Sequence, residues 1–271
     1  MRETGVYLDS DSCHAAIRRG DSIKMKKFEH FRDERQVVED AINMNGGRDF
    51  RYASKELRGD YQLCAQAISD RAGFLQMERH SPALNNGFNL QYASNELKAD
   101  KRLFETAMRN CSSHSAYGFG LQKFPKSIRE DKELMLSFHN KHGNCFPFVG
   151  KKLQGDRDFV QHVFQTEGWQ IQYASDQIKD DKEMVLLALA KSGTAYRHCS
   201  DRLLSDKEVC LRAIEHEPHY TRYFPKALQD EIGKEDPVAY LTKAVNAEKL
   251  LDRLNTKLSP KVGRDGPKMK I

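Results

Sequence analysis

The chain has 271 residues, of which 39% are hydrophobic and 31% charged, with a formal net charge of +5. No apolar run approaches the roughly 20 residues that a membrane-spanning helix needs. Six cysteines, irregularly spaced in a chain of this length, argue against a secreted disulfide framework. Because the N-terminal stretch also lacks the apolar segment of a secretion signal, we expect a cytoplasmic protein in a reducing compartment.

Acidic residues recur along the chain, and each precedes an amphipathic stretch. In chain order these anchors are Asp9, Glu34, Asp60, Asp100, Asp131, Asp156, Asp181, Asp206 and Asp236. The steps between them are 25, 26, 40, 31, 25, 25, 25 and 30 residues, which indicates a 25-residue repeat with insertions in three places. An acidic residue favours a helix start, because its carboxylate accepts from free first-turn N–H groups and meets the positive end of the helix dipole.

Apolar residues three, four, seven and eight positions after each anchor predict the first helix of the repeat. After Asp100 they are Leu103, Phe104, Ala107 and Met108. This spacing forms one stripe of an α-helix and not the alternating face of a strand. A glycine twelve positions after the anchor predicts the helix stop, since glycine enters the left-handed conformation at little steric cost. Such glycines are Gly46, Gly143, Gly168 and Gly193.

The second half of the repeat contains the motif YASxxLxxD. It occurs as YASKELRGD at 52–60, YASNELKAD at 92–100 and YASDQIKDD at 173–181. Its tyrosine and its leucine or isoleucine predict a short second helix that packs inward and ends at the next anchor. Because one helical hairpin exposes an apolar face that it cannot cover alone, neighbouring hairpins must stack. The sequence therefore predicts an all-α fold, an α-solenoid of about nine repeats.

The repeats predict a single domain over residues 1–256. The first unit, 1–33, and the last, 230–256, are degenerate, as capping units are expected to be. The largest break predicts an irregular insertion at 74–90. Residues 257–271 hold five basic side chains and one acidic side chain, so most of the net charge lies on a tail that is predicted to be disordered.

The recurring pattern LxYASxxLxxDxExVxxA resembles the domain-of-unknown-function family 4116. The resemblance covers most of residues 45–215, is strongest at 171–214, and weakens at 110–155 and at both ends. A repeat of this family would span two of the 25-residue units. The resemblance implies a tandem α-helical array without an established biochemical activity, and it identifies no catalytic residues.

Cysteine and histidine residues provide one candidate metal site. Four cysteines occupy apolar or small positions of the repeat and are predicted to be core residues: Cys13, Cys64, Cys199 and Cys210. Four further residues share two offsets in adjacent repeats: Cys111, His114, His142 and Cys145. Stacked repeats would place these side by side, where they could hold zinc tetrahedrally. The alternative is that they are solvated residues at helix ends.

Five residues at turns between helices are candidates for contact with a partner: Trp169, Tyr196, Arg197, Tyr220 and Arg222. Tryptophan, tyrosine and arginine are enriched at the energetic hot spots of protein interfaces. For Trp169, packing between repeats is the alternative. No catalytic residue and no cofactor-binding residue is predicted.

These features favour a non-enzymatic scaffold for protein–protein interaction, because helical repeats present long surfaces and no familiar catalytic motif occurs. A narrower version is an effector, or a viral or phage protein, that acts on a host complex in the host cytoplasm. One alternative is a nucleic-acid-associated protein that uses the basic tail, Lys257–Ile271, and the 24–35 face. Another is a zinc-dependent or Cys/His enzyme.

Overall fold

A computed structural model describes residues 9–19, 21–23, 26–45, 47–69, 86–111 and 119–258. Every regular element in these ranges is helical, and they contain no β-strand, so the predicted all-α repeat fold is confirmed. None of the helices in these ranges is long and apolar enough to cross a membrane.

The chain divides into two compact units, residues 1–159 and 160–271. The single repeat domain over residues 1–256 stays a prediction.

A longer helix follows each anchor. These repeat helices are α1 (Ser10–Arg18), α2 (Arg35–Asn45), α3 (Tyr61–Ile68), α4 (Lys101–Arg109), α5 (Lys132–His142), α6 (Arg157–Phe164), α7 (Lys182–Leu189), α8 (Lys207–His216) and α9 (Pro237–Leu258). The carboxylate of each aspartate anchor accepts a first-turn backbone N–H over 2.7–3.2 Å. The aspartates therefore cap these helices as predicted.

The predicted apolar stripe forms the core of each repeat. In α7 and α8 its residues are at most 1% exposed: Met184, Val185, Ala188, Leu189, Val209, Cys210, Ala213 and Ile214. The four cysteines predicted for the core are also buried. Full burial of one such aliphatic side chain contributes about 1.5–3 kcal/mol, so the stripe is the main source of stability within a repeat.

The second half of the repeat is not the single short helix that the sequence predicts. It consists of a 3-10 helix, a bend and a short helix, as in Gly168–Tyr173 followed by Asp176–Lys179. The YAS motif spans the junction: Tyr173 ends the 3-10 helix, and Ser175 Oγ accepts the N–H of Ile178 over 3.4 Å. Ile178 is buried as predicted, whereas Tyr173 is only half-buried.

The same two elements recur along the described chain. Equivalent 3-10 helices are Arg48–Tyr52, Asn86–Tyr92, Leu121–Lys123, Phe146–Phe148, Gly193–His198 and Pro218–Tyr223. Equivalent short helical segments are Leu57–Gly59, Asn95–Lys98, Lys126–Arg129, Lys151–Gln154, Asp201–Leu204 and Lys226–Ile232. A further 3-10 helix, Lys26–Phe31, precedes α2.

Backbone hydrogen bonds of the motif serine join successive repeats. The N–H of Ser94 donates to the carbonyl of Arg58 over 3.0 Å, and the N–H of Ser200 donates to the carbonyl of Lys179 over 2.9 Å. In both cases the acceptor lies in the short helical segment of the preceding repeat. The serine therefore has two roles, one in capping its own short helix and one in contacting the previous repeat.

Ion pairs form a second link between repeats. The basic residue directly after one anchor reaches the anchor of the next repeat. Arg35 Nη1 lies 2.6 Å from Asp60 Oδ2, and Lys182 Nζ lies 2.8 Å from Asp206 Oδ2. Each of these aspartates thus accepts both its own cap hydrogen bond and a charged donor from the repeat before it.

At two positions, glycine does not act as the helix stop that the sequence predicts. Gly168 and Gly193 begin 3-10 helices and do not have positive φ angles. A Cβ on Gly168 would lie 2.1 Å from the carbonyl oxygen of Ala188, so this glycine permits close packing on α7. Gly143, with φ +62°, does end α5 in the predicted way. Gly46 lies outside the described residues.

The irregular parts of the chain are described only in part. Of the predicted insertion at 74–90, residues 86–90 are described and begin the 3-10 helix Asn86–Tyr92. The predicted tail is described only at residues 257 and 258, where α9 ends. The last predicted repeat, 230–256, contains most of α9. With 22 residues, α9 is longer than the other repeat helices.

Candidate interaction surfaces

A groove of about 500 Å³ lies among α7, α8 and α9 in the second unit. Its apolar lining comprises Met184, Leu186, Leu187, Leu211 and Val245. Its charged lining comprises Glu183, Glu208, Glu215, Arg212 and Lys249. The groove therefore combines an apolar floor with a rim of both charge signs, which suits an amphipathic segment.

The second half of α9 exposes three leucines, whereas two apolar residues in its first half are buried. Leu241 and Val245 are buried, whereas Leu250 and Leu251 are each 59% exposed and Leu254 is 46% exposed. Lys249 lies at the transition, with its Nζ 2.7 Å from Glu208 Oε1 on α8. At 3.6 residues per turn, these leucines lie about 120–180° around α9 from Val245, so they form a separate apolar strip on the face turned away from the groove.

Two arginines from successive repeats lie on the ring of Tyr223. The Cζ of Arg197 is 5.0 Å from the ring centroid, and the Cζ of Arg222 is 4.7 Å from it. Arg222 Nη2 also donates to the Tyr223 hydroxyl oxygen over 2.8 Å. Cation–π contact and this hydrogen bond hold both guanidinium groups at the surface.

Trp169 is 37% exposed and follows Gly168 at the start of a 3-10 helix. Its ring meets Tyr173 edge to face, with centroids 6.4 Å apart. The indole therefore covers its own repeat with one side and presents the other to solvent.

Two predicted contact residues lie in the core. Tyr196 is fully buried, and its hydroxyl donates to the carbonyl of Leu204 over 2.6 Å. Tyr220 is 4% exposed and packs on Tyr223 with centroids 5.5 Å apart. A partner cannot reach either ring without rearrangement of the repeat. Trp169, Arg197 and Arg222, in contrast, are exposed.

Sequence reasoning missed Tyr223 and the leucines of α9. Tyr223 stands eight residues before the position equivalent to an anchor, where Tyr52 and Tyr173 also stand. The recurrence of tyrosine at this position of the repeat could therefore have identified Tyr223 from the sequence. Leu250, Leu251 and Leu254 form a second apolar face, out of phase with Leu241 and Val245, which was also visible in the sequence.

The zinc candidates lie in the first unit and are described except for His114. Cys111, His142 and Cys145 are at most 4% exposed, so the alternative of solvated helix ends is wrong for them. Cys145 Sγ donates to the carbonyl of Met135 over 3.8 Å, and His142 packs on Phe138 with centroids 4.8 Å apart. Among the residues that the structure describes, no three side chains of metal-ligating type form a metal site. The zinc set remains a prediction that depends on His114.

Core cysteines lack the properties of nucleophiles. Burial raises the pKa of Cys64 and Cys199 to about 12 and that of Cys210 to about 11. Because the thiolate is the reactive form, these thiols are inert near neutral pH.

One histidine–carboxylate pair lies in a small groove of the first unit. His14 Nδ1 is 2.8 Å from Asp40 Oδ2, and Gln36 Nε2 donates to Asp40 Oδ1 over 3.1 Å. Asp11, Ala15 and Arg18 complete the described lining. None of these lining residues is a serine, cysteine or threonine, so the pair lacks the nucleophile of a catalytic triad.

Comparison with known families identifies the repeat. Three overlapping windows, 131–179, 156–200 and 181–229, match a family described as a domain of unknown function, DUF4116. Together the windows span residues 131–229, so this part of the chain is similar to tandem DUF4116 repeats. The windows begin at Asp131, Asp156 and Asp181, so each starts at an anchor and runs through a second repeat.

The DUF4116 windows differ in extent from the expected resemblance over 45–215. They include 131–155, where a weak resemblance was predicted, and they do not include 45–130. The matched region is where successive anchors are 25 residues apart, whereas the two preceding steps are 40 and 31 residues. Comparisons with curated proteins and with solved structures gave no match.

Proposed function

We propose that this repeat protein is a non-enzymatic scaffold that binds an amphipathic helix of another protein. The binding surface is the strip of exposed leucines on α9. The observation that carries the proposal is the exposure of Leu250, Leu251 and Leu254 on one face of that helix. A bound amphipathic helix would pack its own apolar residues, at spacings of three and four, against this strip.

The charges beside the leucine strip favour a helix with a mixed polar face. Residues of both signs stand between and beside the leucines on α9: Glu248, Lys249, Asp252 and Arg253. Because both signs are present, the strip provides no strong field of one sign. Affinity would therefore come mainly from apolar burial, with the flanking charges setting the orientation of the helix.

The exposed leucines are worth a measurable part of the binding energy. Complete burial of one leucine contributes about 1.5–3 kcal/mol, and these side chains are about half exposed. Covering two of them would contribute about 2 kcal/mol, which corresponds to roughly 30-fold in affinity.

The test compares partner capture by the wild type, by Leu251→Asp/Leu254→Asp, and by the matched control Asn246→Asp. Asn246 is an exposed residue of the same helix, so the control adds negative charge without removing apolar surface. A photocrosslinking amino acid at position 250 identifies the protein that covers the leucine strip. We expect a stoichiometric partner with the wild type and the control, and about 30-fold weaker binding by the double variant.

Equal capture by all three proteins would contradict the proposal, as would a partner that does not crosslink from position 250. Thermal unfolding of the double variant provides the folding control. Because both leucines are already exposed, we expect its midpoint to stay within a few degrees of the wild type.

A further inference from the structure

The arginines on Tyr223 carry charge that the described residues do not neutralise. Neither Arg197 nor Arg222 forms an ion pair with any residue in the described ranges. Glu217, the acidic residue nearest in sequence to Arg222 and Tyr223, is paired with His219 Nε2 at 3.2 Å. Arg202 on a neighbouring short helix, by comparison, lies 3.1 Å from Asp180.

Two guanidinium groups from different repeats meet at one ring. Both Cζ atoms lie within 5.0 Å of the Tyr223 ring centroid, and both side chains are exposed. An anion beside this ring would be within reach of both side chains and attracted by both charges. Each guanidinium also presents a planar set of donors suited to phosphate oxygens.

We propose that Arg197, Arg222 and Tyr223 form a binding site for a phosphate monoester carried by a protein segment. A phosphorylated side chain has a charge of about −1.5 to −2 and three acceptor oxygens, so it can engage both arginines at once. A carboxylate has a single charge and two oxygens, which one arginine satisfies. The site shares no residue with the leucine strip of α9 and goes beyond the function proposed above.

A protein segment fits the site better than a nucleic acid strand does. A strand would need basic side chains continuing along the surface from one repeat to the next. The positions equivalent to Arg222 and Tyr223 in the repeat before Arg197 are Gln172 and Tyr173, which are uncharged. In the second unit, arginine at this repeat position is therefore limited to two successive repeats, which suits a single phosphate better than a long strand.

The test is a titration of the full chain in which binding is monitored through the NMR signals of arginine side chains. The probes are a serine–glycine phosphoserine peptide without other charged side chains, the same peptide unphosphorylated, inorganic phosphate, and a single-stranded oligonucleotide. We expect the phosphopeptide to bind at least tenfold more tightly than the unphosphorylated peptide and more tightly than inorganic phosphate. Arg197→Ala/Arg222→Ala should lose this preference, whereas Arg197→Lys/Arg222→Lys should weaken binding several-fold.

Arg202→Ala is the matched control, because Arg202 is an exposed arginine of the same unit with a carboxylate partner. It should bind the phosphopeptide as the wild type does. Equal binding of the two peptides by the wild type would overturn the proposal, and so would an equal loss in Arg202→Ala. Tighter binding of the oligonucleotide than of the phosphopeptide would overturn it in favour of nucleic acid. Because the leucines of α9 are unchanged in every variant, these outcomes are independent of helix binding.

Discussion

At the scale of single residues, a glycine at the start of two of the 3-10 helices shows how closely the repeats pack. Gly87 and Gly168 stand thirteen residues before Asp100 and Asp181. A Cβ on them would lie 1.9 Å and 2.1 Å from a backbone carbonyl oxygen in the next repeat helix. Because backbone cannot move aside as a flexible side chain can, only glycine fits at these positions.

Substitution of a glycine by alanine should therefore destabilise the protein by an amount that depends on which atom the new Cβ contacts. Gly168→Ala should lower the free energy of unfolding by about 1–3 kcal/mol or more, since it forces α7 to shift. Gly193→Ala should cost less, because its closest neighbour is the side-chain atom Cε2 of Tyr220 at 3.2 Å. Urea unfolding measures each change.

Gly59→Ala is the control, since its Cβ would meet only Ser94 at 3.8 Å. We expect it to change stability by less than about 0.5 kcal/mol. If the three variants were equally stable, close packing would not be the reason for glycine at position 168.

At the scale of elements, each capping aspartate links two helices. Asp60 caps α3 through the N–H of Leu63, and it also accepts hydrogen bonds from Arg35 at the start of α2. The hydrogen bond from Arg35, followed by that from Leu63 N–H, outweighs desolvation and lowers the pKa of Asp60 below its usual value. Periodicity alone predicted the cap but not the basic residue of the preceding repeat.

The ion pair between Arg35 and Asp60 predicts that the stability of the protein depends on pH. Because the folded-state pKa of Asp60 is lowered, its contribution to stability is complete above its unfolded pKa and is lost as the pH falls through the folded value. Arg35→Met should raise the pKa of Asp60 towards its usual value, and Arg35→Lys should raise it less. NMR titration of the Asp60 carboxyl carbon measures the shift.

High salt provides the control for this ion pair, because Arg35 is exposed and its charge is screened. Salt should raise the pKa of Asp60 in the wild type and change it little in Arg35→Met. An unchanged pKa in Arg35→Met would show that the N–H groups of α3 alone hold Asp60 ionised.

At the scale of the whole molecule, the repeat pattern makes stability local. The buried stripe of each repeat is covered by the repeats beside it, so a defect should affect nearby helices most. Leu63 in the first unit and Leu189 in the second are both fully buried and allow this to be tested.

Leu189→Ala should remove about 2–5 kcal/mol through loss of burial and the cavity left behind. We expect hydrogen exchange to accelerate in α7 and α8 and to change little in α3. Leu63→Ala, as the reciprocal variant, should accelerate exchange in α3 with little effect on α7 and α8. Equal acceleration in all three helices by either variant would indicate one cooperative unit instead of local stability.

The sequence by itself determined the repeat, the capping aspartates and the buried stripe. These features are local, because a helix of 3.6 residues per turn brings positions three, four, seven and eight to one face wherever it lies. The same local pattern placed the four core cysteines correctly. It could also have led to Leu250, Leu251 and Leu254, which form a second apolar face past the usual helix end.

Only the tertiary structure decided which residues of different repeats meet. The burial of Tyr196, the two arginines on Tyr223 and the approach of Gly168 to Ala188 all depend on the rotation and rise between neighbouring repeats. No single segment encodes that geometry, because it results from packing two stripes and the backbone between them. The candidate surfaces are products of stacking, whereas the helices that form them are products of local sequence.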